Sequence, residues 1–369
     1  MTNIQNNRRI DWIDLSKFIG ITIMCLGHIG LPKQLSALIH IFHMPVFFII
    51  SGMCYSEVKY AHLGVFLKQK VRTLLIPSYF WCFVMYFVWR LYCVFEMRGE
   101  PVELDEFIIL AFTKDAATSM FGNLGVIQWF FTSLFFAELF FWCFITLKNK
   151  FCKKDSCLYY ILFIVFLLVV NSWYIKYISI NPLGIGTSIV ATVFIAIGHM
   201  SKSIIRKYNE LKLKKNIVFT AIAFLLLLFV WGMNGTTNMR TLQYNNIFLY
   251  LIGGCAGSFL IFQVARFIEQ KMNKLKLLYN FMIYIGRNTL IVLIFNRLVQ
   301  FTIIRLINYF IKNIPFNWES TIGLVILVMI DLVIEMLAFI PIIYLVNRYM
   351  FFSVGRKKVL NKNTIKENC

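Results

Sequence analysis

Ten mainly apolar stretches recur along the chain, near 13–31, 36–56, 73–96, 127–147, 157–175, 183–200, 216–233, 246–265, 279–301 and 321–347. Each is close to the roughly 20 residues that a helix needs to cross the hydrocarbon core of a bilayer. Inside that core every backbone N–H and C=O must be bonded within the protein, so spans of this length fold as helices. The pattern predicts an all-α, polytopic integral membrane bundle of about ten transmembrane helices. Composition agrees, since 59% of the 369 residues are hydrophobic and 15% are charged, against about 25% charged in an ordinary soluble domain.

The 37 Lys and Arg against 17 Asp and Glu give a net charge of +20. In a soluble chain this would suggest nucleic acid, but here the distribution of the cations decides. On one side of the expected bundle lie the N-terminus, 57–72, 148–156, 201–215, 266–278 and the tail, with 26 of the cations. The opposite connections hold 7, and Lys17, Arg90, Arg287 and Arg297 fall within spans. Cytoplasmic loops are the ones enriched in Lys and Arg, so both termini are expected in the cytoplasm of a multi-pass plasma-membrane protein, and the charge needs no nucleic acid to explain it.

The polar leader precedes a span that contains Lys17 and His28, with no small-residue cleavage site behind it, so it is expected to remain as the first helix. No linker, low-complexity tract or internal repeat divides the chain. One membrane domain over 1–369 is expected, with its core at 8–350 and a basic cytoplasmic tail at 351–369. The 9 cysteines are scattered without CxxC spacing, which indicates neither a disulfide framework nor a metal site.

Ionisable groups within spans are costly, turn toward the bundle interior and mark functional sites. Lys17 and His28 are eleven residues apart, which at about 100° per residue puts them on one helix face, about 16 Å apart along the axis. Asp14 lies on the same stripe. The second span returns from the outside, so His40 and His43 enter the membrane at the depth where His28 leaves it. Pro45 kinks that span and frees a carbonyl near Ile41, while Ser51 and Gly52 permit a close helix approach. Glu138, Asp331 and Glu335 are acids at depth, the last two four residues apart and available as counter-ions to Lys17, Arg287 or Arg297.

The runs "RRIDWIDLSKFIGITIMCLGHI" and "FHMPVFFIISGMCYS" resemble the start of the membrane acyltransferase 3 family, in its branch that acetylates sugars and polysaccharides. "FLKQKVRTLLIPSYF", "WFFTSLFFAEL" and "IGRNTLIVLIF" resemble later parts of the same family, so the likeness runs over most of 8–350. Lys17 and His28 match the family's basic residue, ten-residue gap and histidine. Asn296 stands where many relatives have a histidine. The resemblance implies O-acyl transfer, with acetyl-CoA as the donor, a hydroxyl of a cell-surface sugar or polysaccharide as the acceptor, and no metal. His28 is then the general base with His43 near it, Lys17 holds a phosphate or carbonyl of the coenzyme as a third catalytic residue, and Lys68, Lys70 and Arg72 receive the coenzyme's phosphates. A donor channel through the bundle would bring the cytoplasmic thioester to His28. The alternative is a transporter of glycan or lipid-linked sugar without bond chemistry, although the inverted repeats common in transporters are not visible. A membrane sensor, the third reading, would not need His28.

Overall fold

The computed structural model describes residues 10–96, 103–113, 128–151, 157–178, 180–208, 213–272, 274–311 and 320–357. Arg8 and Arg9, most of the 97–126 connection and the tail beyond Lys357 lie outside the described residues. The helices are α1 (Asp11–His28), α2 (Lys33–Phe42), α3 (Pro45–Cys54), α4 (Leu63–Lys70), α5 (Ile76–Glu96), α6 (Leu104–Thr113), α7 (Gln128–Phe151), α8 (Cys157–Tyr177), α9 (Ile185–Tyr208), α10 (Leu213–Asn234), α11 (Ile247–Lys271), α12 (Lys276–Gly286), α13 (Thr289–Ile311) and α14 (Thr321–Tyr349). Among the described residues, nine continuous helical segments are long and apolar enough to span a bilayer. The tenth span is α1, whose 18 residues include Asp11, Asp14 and Lys17. The chain is a multi-pass membrane protein with an all-helical bundle.

Three expected spans are interrupted, each for a local reason. The second divides into α2 and α3 at His43–Met44, because Pro45 takes the first position of α3, where its missing N–H costs nothing. The carbonyl that finds a polar partner there is that of Ile39, not Ile41: His43 Nδ1 lies 2.9 Å from it. Ahead of Pro77 the third span widens into a π turn at Val71–Leu75, which absorbs the donor that proline lacks. The ninth breaks at Arg287–Asn288 into a short α12 and a spanning α13, so its span is Thr289–Phe310 and not 279–301.

Helices α11, α12 and α13 pack on α1, and α9 packs on α3, α7 and α8, while α8, α10 and α14 carry apolar side chains on their outer faces, as lipid contact requires. The tightest crossing joins α3 to α9. A Cβ on Gly52 would lie 2.0 Å from the Ile195 carbonyl oxygen, and one on Gly198 would lie 2.1 Å from that of Ile49. Two reciprocal glycines thus let the two backbones touch, since no larger residue fits either position.

Contacts between distant segments sort the connections into two ends. At one, Glu57 meets Asn149 at 2.8 Å and His199 at 3.5 Å, Glu269 accepts from the Trp12 backbone at 3.1 Å, and Gly355 packs on Arg72 and Thr73. At the other, Trp231 donates to the Gln34 carbonyl at 2.9 Å, Asn181 to that of Arg240 at 2.8 Å, and Arg305 to the Tyr92 hydroxyl at 2.7 Å. The first end gathers the cation-rich connections. In a cysteine-free background, a membrane-impermeant thiol reagent added to intact cells should label a cysteine at Arg240 and spare one at Lys274; the reverse labelling would invert the bundle. Gly52→Ala should destabilise the protein by about 1–3 kcal/mol through overpacking, whereas Gly64→Ala, with nothing within 4 Å, should leave its melting temperature unchanged or slightly raised.

Candidate active site

Polar residues of α1 face the bundle interior, and two cavities lie along that face. The first, of 280 Å³, opens near the end that holds the described termini. Among the described residues its charged lining consists of Lys17, Arg287 and Arg356, with no carboxylate, and the remainder is mainly apolar, including Met24, Met44 and Phe130. Asp14, 1% exposed, accepts from Lys17 Nζ at 3.2 Å and from Arg287 Nε at 3.1 Å; Asp11 takes a second Arg287 nitrogen at 3.4 Å. Sequence placed Lys17 correctly beside Asp14, but the acids offered as partners for Lys17 and Arg287, Asp331 and Glu335, are not the ones that bind them.

Arg356 reaches the same mouth from the C-terminal side. After α14 a short 3-10 turn, Phe351–Val354, ends at Gly355, whose φ of 70° suits glycine. A Cβ there would lie 2.3 Å from the Arg72 carbonyl oxygen, so the tail seats on the π turn. Arg356 then donates to the Arg287 carbonyl at 3.1 Å and to Asn347 Oδ1, and Asn347 donates to Asn288 at 2.9 Å.

The second cavity, of 260 Å³, lies toward the opposite end and is lined by His28, His40, His43, Arg240, Arg297 and Trp129, together with Asn238 and three methionines. His43 is buried, and its ring meets that of His40 edge-on at 4.9 Å. A carbonyl can only accept, so the Nδ1 atoms of His43 and His40 donate to Ile39 at 2.9 Å and Ser36 at 2.7 Å, and each Nε2 is left as an acceptor. His28 has no hydrogen-bond partner among the described residues. Met24 and Met44 line both cavities, so these flexible side chains stand between the two spaces.

Of the other residues singled out in the sequence, Lys68 is exposed and Arg72 half-buried. Lys70 turns inward to Glu138 at 2.5 Å, with its ammonium 5.1 Å from the Tyr60 ring, and Ser51 donates to the same carboxylate. None of the 68–72 cations lines either cavity. Asn296, fully buried, donates to Glu335 at 2.7 Å and lies 3.3 Å from the Cys25 sulfur, which ties α13 and α14 to α1 three residues before His28. Sequence reasoning gave no site role to Arg356, Arg240 or Trp129: the first two had been counted as loop charges, and nothing in the sequence distinguished them from their neighbours. Among the described residues no group of His, Cys, Asp and Glu is arranged to hold a metal ion.

A family model described as an acyltransferase domain, that of the acyltransferase 3 family, matches residues 10–340. No curated protein and no solved structure matches the chain. The matched segment contains both cavities and every residue lining them except Val354 and Arg356, and the chain therefore belongs to the acyltransferase 3 family and is a membrane acyltransferase.

Proposed function

We propose that the protein transfers acetyl from acetyl-CoA to a hydroxyl of a sugar or polysaccharide at the outer face of the plasma membrane, with the two cavities along α1 holding donor and acceptor. The observation that carries this reading is their shared wall at Met24 and Met44, which leaves only two flexible side chains between a cationic mouth and a histidine-lined chamber. Lys17 and His28 mark the two ends, about 16 Å apart along the helix axis. A donor with phosphates at one end and a thioester at the other suits such a path.

Lys17, Arg287 and Arg356 are the cations that meet the phosphates, and Lys68 and Arg72 extend the basic surface beside them. Lys70 serves the fold through Glu138. In the chamber a sugar hydroxyl is too weak a nucleophile to attack the thioester unaided. The neutral His28 imidazole takes the hydroxyl proton as the oxygen bonds to the acetyl carbon, and the tetrahedral intermediate collapses with loss of the coenzyme thiolate. That thiolate takes a proton, restoring neutral His28. His43 lies beside the reacting groups with its Nε2 as an acceptor, and Met24 and Met44 keep the thioester path apolar, which limits water at the carbonyl.

His28→Gln should lower acetyl transfer from labelled acetyl-CoA by about 10²–10⁴-fold, at equal membrane abundance, because glutamine retains hydrogen bonding but takes no proton at useful pH. Near-normal transfer would reduce His28 to a packing residue. Arg356→Gln should raise the Michaelis constant for acetyl-CoA roughly tenfold with little change in turnover, since phosphate contacts are made equally in ground and transition states. An effect of Lys68→Gln without one of Arg356→Gln would move the phosphates onto the 68–72 surface.

A further inference from the structure

The acceptor chamber holds more positive charge than the proton transfer at His28 requires. Two guanidinium groups, those of Arg240 and Arg297, line the same 260 Å³ as the three histidines, and among the described residues no carboxylate lines it. Arg297 belongs to the spanning helix α13, where a cation is expensive unless it has a task. The acid acting on it electrostatically, Glu335, is fully buried behind the chamber, bonded to Asn296 at 2.7 Å, and does not line the space.

Arg240 arrives on a connection built to hold it there. The segment 235–246 is closed by paired backbone bonds between Asn238 and Gln243, at 2.7 and 3.0 Å. Asn181 donates to the Arg240 carbonyl at 2.8 Å, the Arg240 N–H reaches Asn238 Oδ1 at 3.1 Å, and Thr187 donates to the Met239 carbonyl at 2.9 Å. Asn181 itself accepts from the first N–H groups of α9, at 3.0 and 3.3 Å. The loop that bears Arg240 is thus anchored to the start of α9. Such anchoring fixes the backbone before any ligand arrives, which spares the cost of ordering it on binding.

Like charges brought into one small space repel one another, and the cost falls when an anion sits between them. A neutral sugar has no group to do this. The coenzyme's phosphates belong to the other cavity, where Lys17, Arg287 and Arg356 already gather. Trp129 adds an aromatic wall of the kind that ligand pockets use to orient a flat apolar surface.

We propose that the acceptor is an anionic saccharide, carrying a carboxylate or phosphate close to the hydroxyl that is acylated, and that Arg240 and Arg297 bind that group while Trp129 flanks the sugar ring. The inference rests on the acyl-transfer reading of the chamber and names its substrate class. It concerns the shared lining of the cavity and leaves intact whatever other contacts the two arginines make.

The test compares three acceptors of equal length with purified protein in lipid nanodiscs: a neutral malto-oligosaccharide, an oligogalacturonate and a 6-phosphorylated malto-oligosaccharide. Equilibrium binding is measured without donor, and acetyl transfer with labelled acetyl-CoA. At least one anionic saccharide should bind roughly tenfold or more tightly than the neutral one, and the arm that does so identifies the group as carboxylate or phosphate. Arg240→Gln should abolish that preference, and Arg240→Lys should retain most of it, which excludes misfolding as the cause. Charge-selective binding without acetyl transfer would support the anion site and defeat the acyl-transfer reading alone. Equal binding of all three saccharides would overturn the proposal. So would an equal loss of turnover on every acceptor in Arg240→Gln and Arg297→Gln, which would assign the arginines to the thioester carbonyl.

Discussion

A buried carboxylate in an apolar medium must be paired or protonated, and the Asp14 carboxylate is held by two cations from different parts of the chain. Lys17 comes from its own helix and Arg287 from the break between α12 and α13. That requirement explains why the expected ninth span stops short. For Arg287 to reach Asp14, the backbone must leave the helix close to α1, and Gly286 permits it, since a Cβ there would lie 2.0 Å from the Asp14 carbonyl oxygen. The carbonyl that Arg287 presents then receives Arg356, so the tail is positioned by the same pair. One buried carboxylate in this way fixes α1, the α12–α13 break and the C-terminal turn against each other, and the mouth of the first cavity is what they enclose.

The broken second span depends on packing more than on charge. The glycine crossing of α3 and α9 brings the lower half of the broken second span against the bundle core, and the proline at its start leaves the His43 ring to satisfy the Ile39 carbonyl. Because that bond uses Nδ1, the atom left for chemistry is Nε2, and the tautomer is set by backbone geometry. The Asn296–Glu335 pair does comparable work on α1: it fills the position behind Cys25 with bonded polar atoms, so the helix that carries His28 cannot slide without breaking a buried contact.

What could be read from the sequence is what periodicity governs. Spans follow from length and apolarity, the Lys17–His28 face from the helical repeat, and the close approach at Gly52 from the absence of a side chain. The convergence of His28, His40 and His43 followed from alternating helix directions alone. Pairings between helices obey no period, and there the sequence was silent or misleading. Glu138 could have faced any of several cations and takes Lys70, while Asp331 and Glu335, four apart on one face, bind neither Lys17 nor Arg287. Arg240 and Arg356 were invisible for another reason: in a chain with 37 basic residues, one loop arginine looks like another until the fold shows which of them is turned into a cavity.

The basic segment 63–75 shows how such ambiguity resolves physically. The positive-inside rule accounts for cations at a cytoplasmic helix end without assigning them any ligand. Within that set, burial separates the roles. Lys70 is drawn inward because Glu138 and Ser51 form a polar pocket beneath it, and an ammonium in such a place stays charged only while its carboxylate remains, so each holds the other in the bundle. Lys68 faces solvent, where an ammonium costs nothing and any anion it meets is screened by salt. Arg72 sits between these cases, its carbonyl against Gly355 and therefore next to Arg356. At the mouth of the first cavity Lys17, Arg287 and Arg356 are gathered in one space, so their charges act together on a ligand even though Asp14 binds two of them, whereas the helix end from which the basic segment begins spreads its cations over open surface.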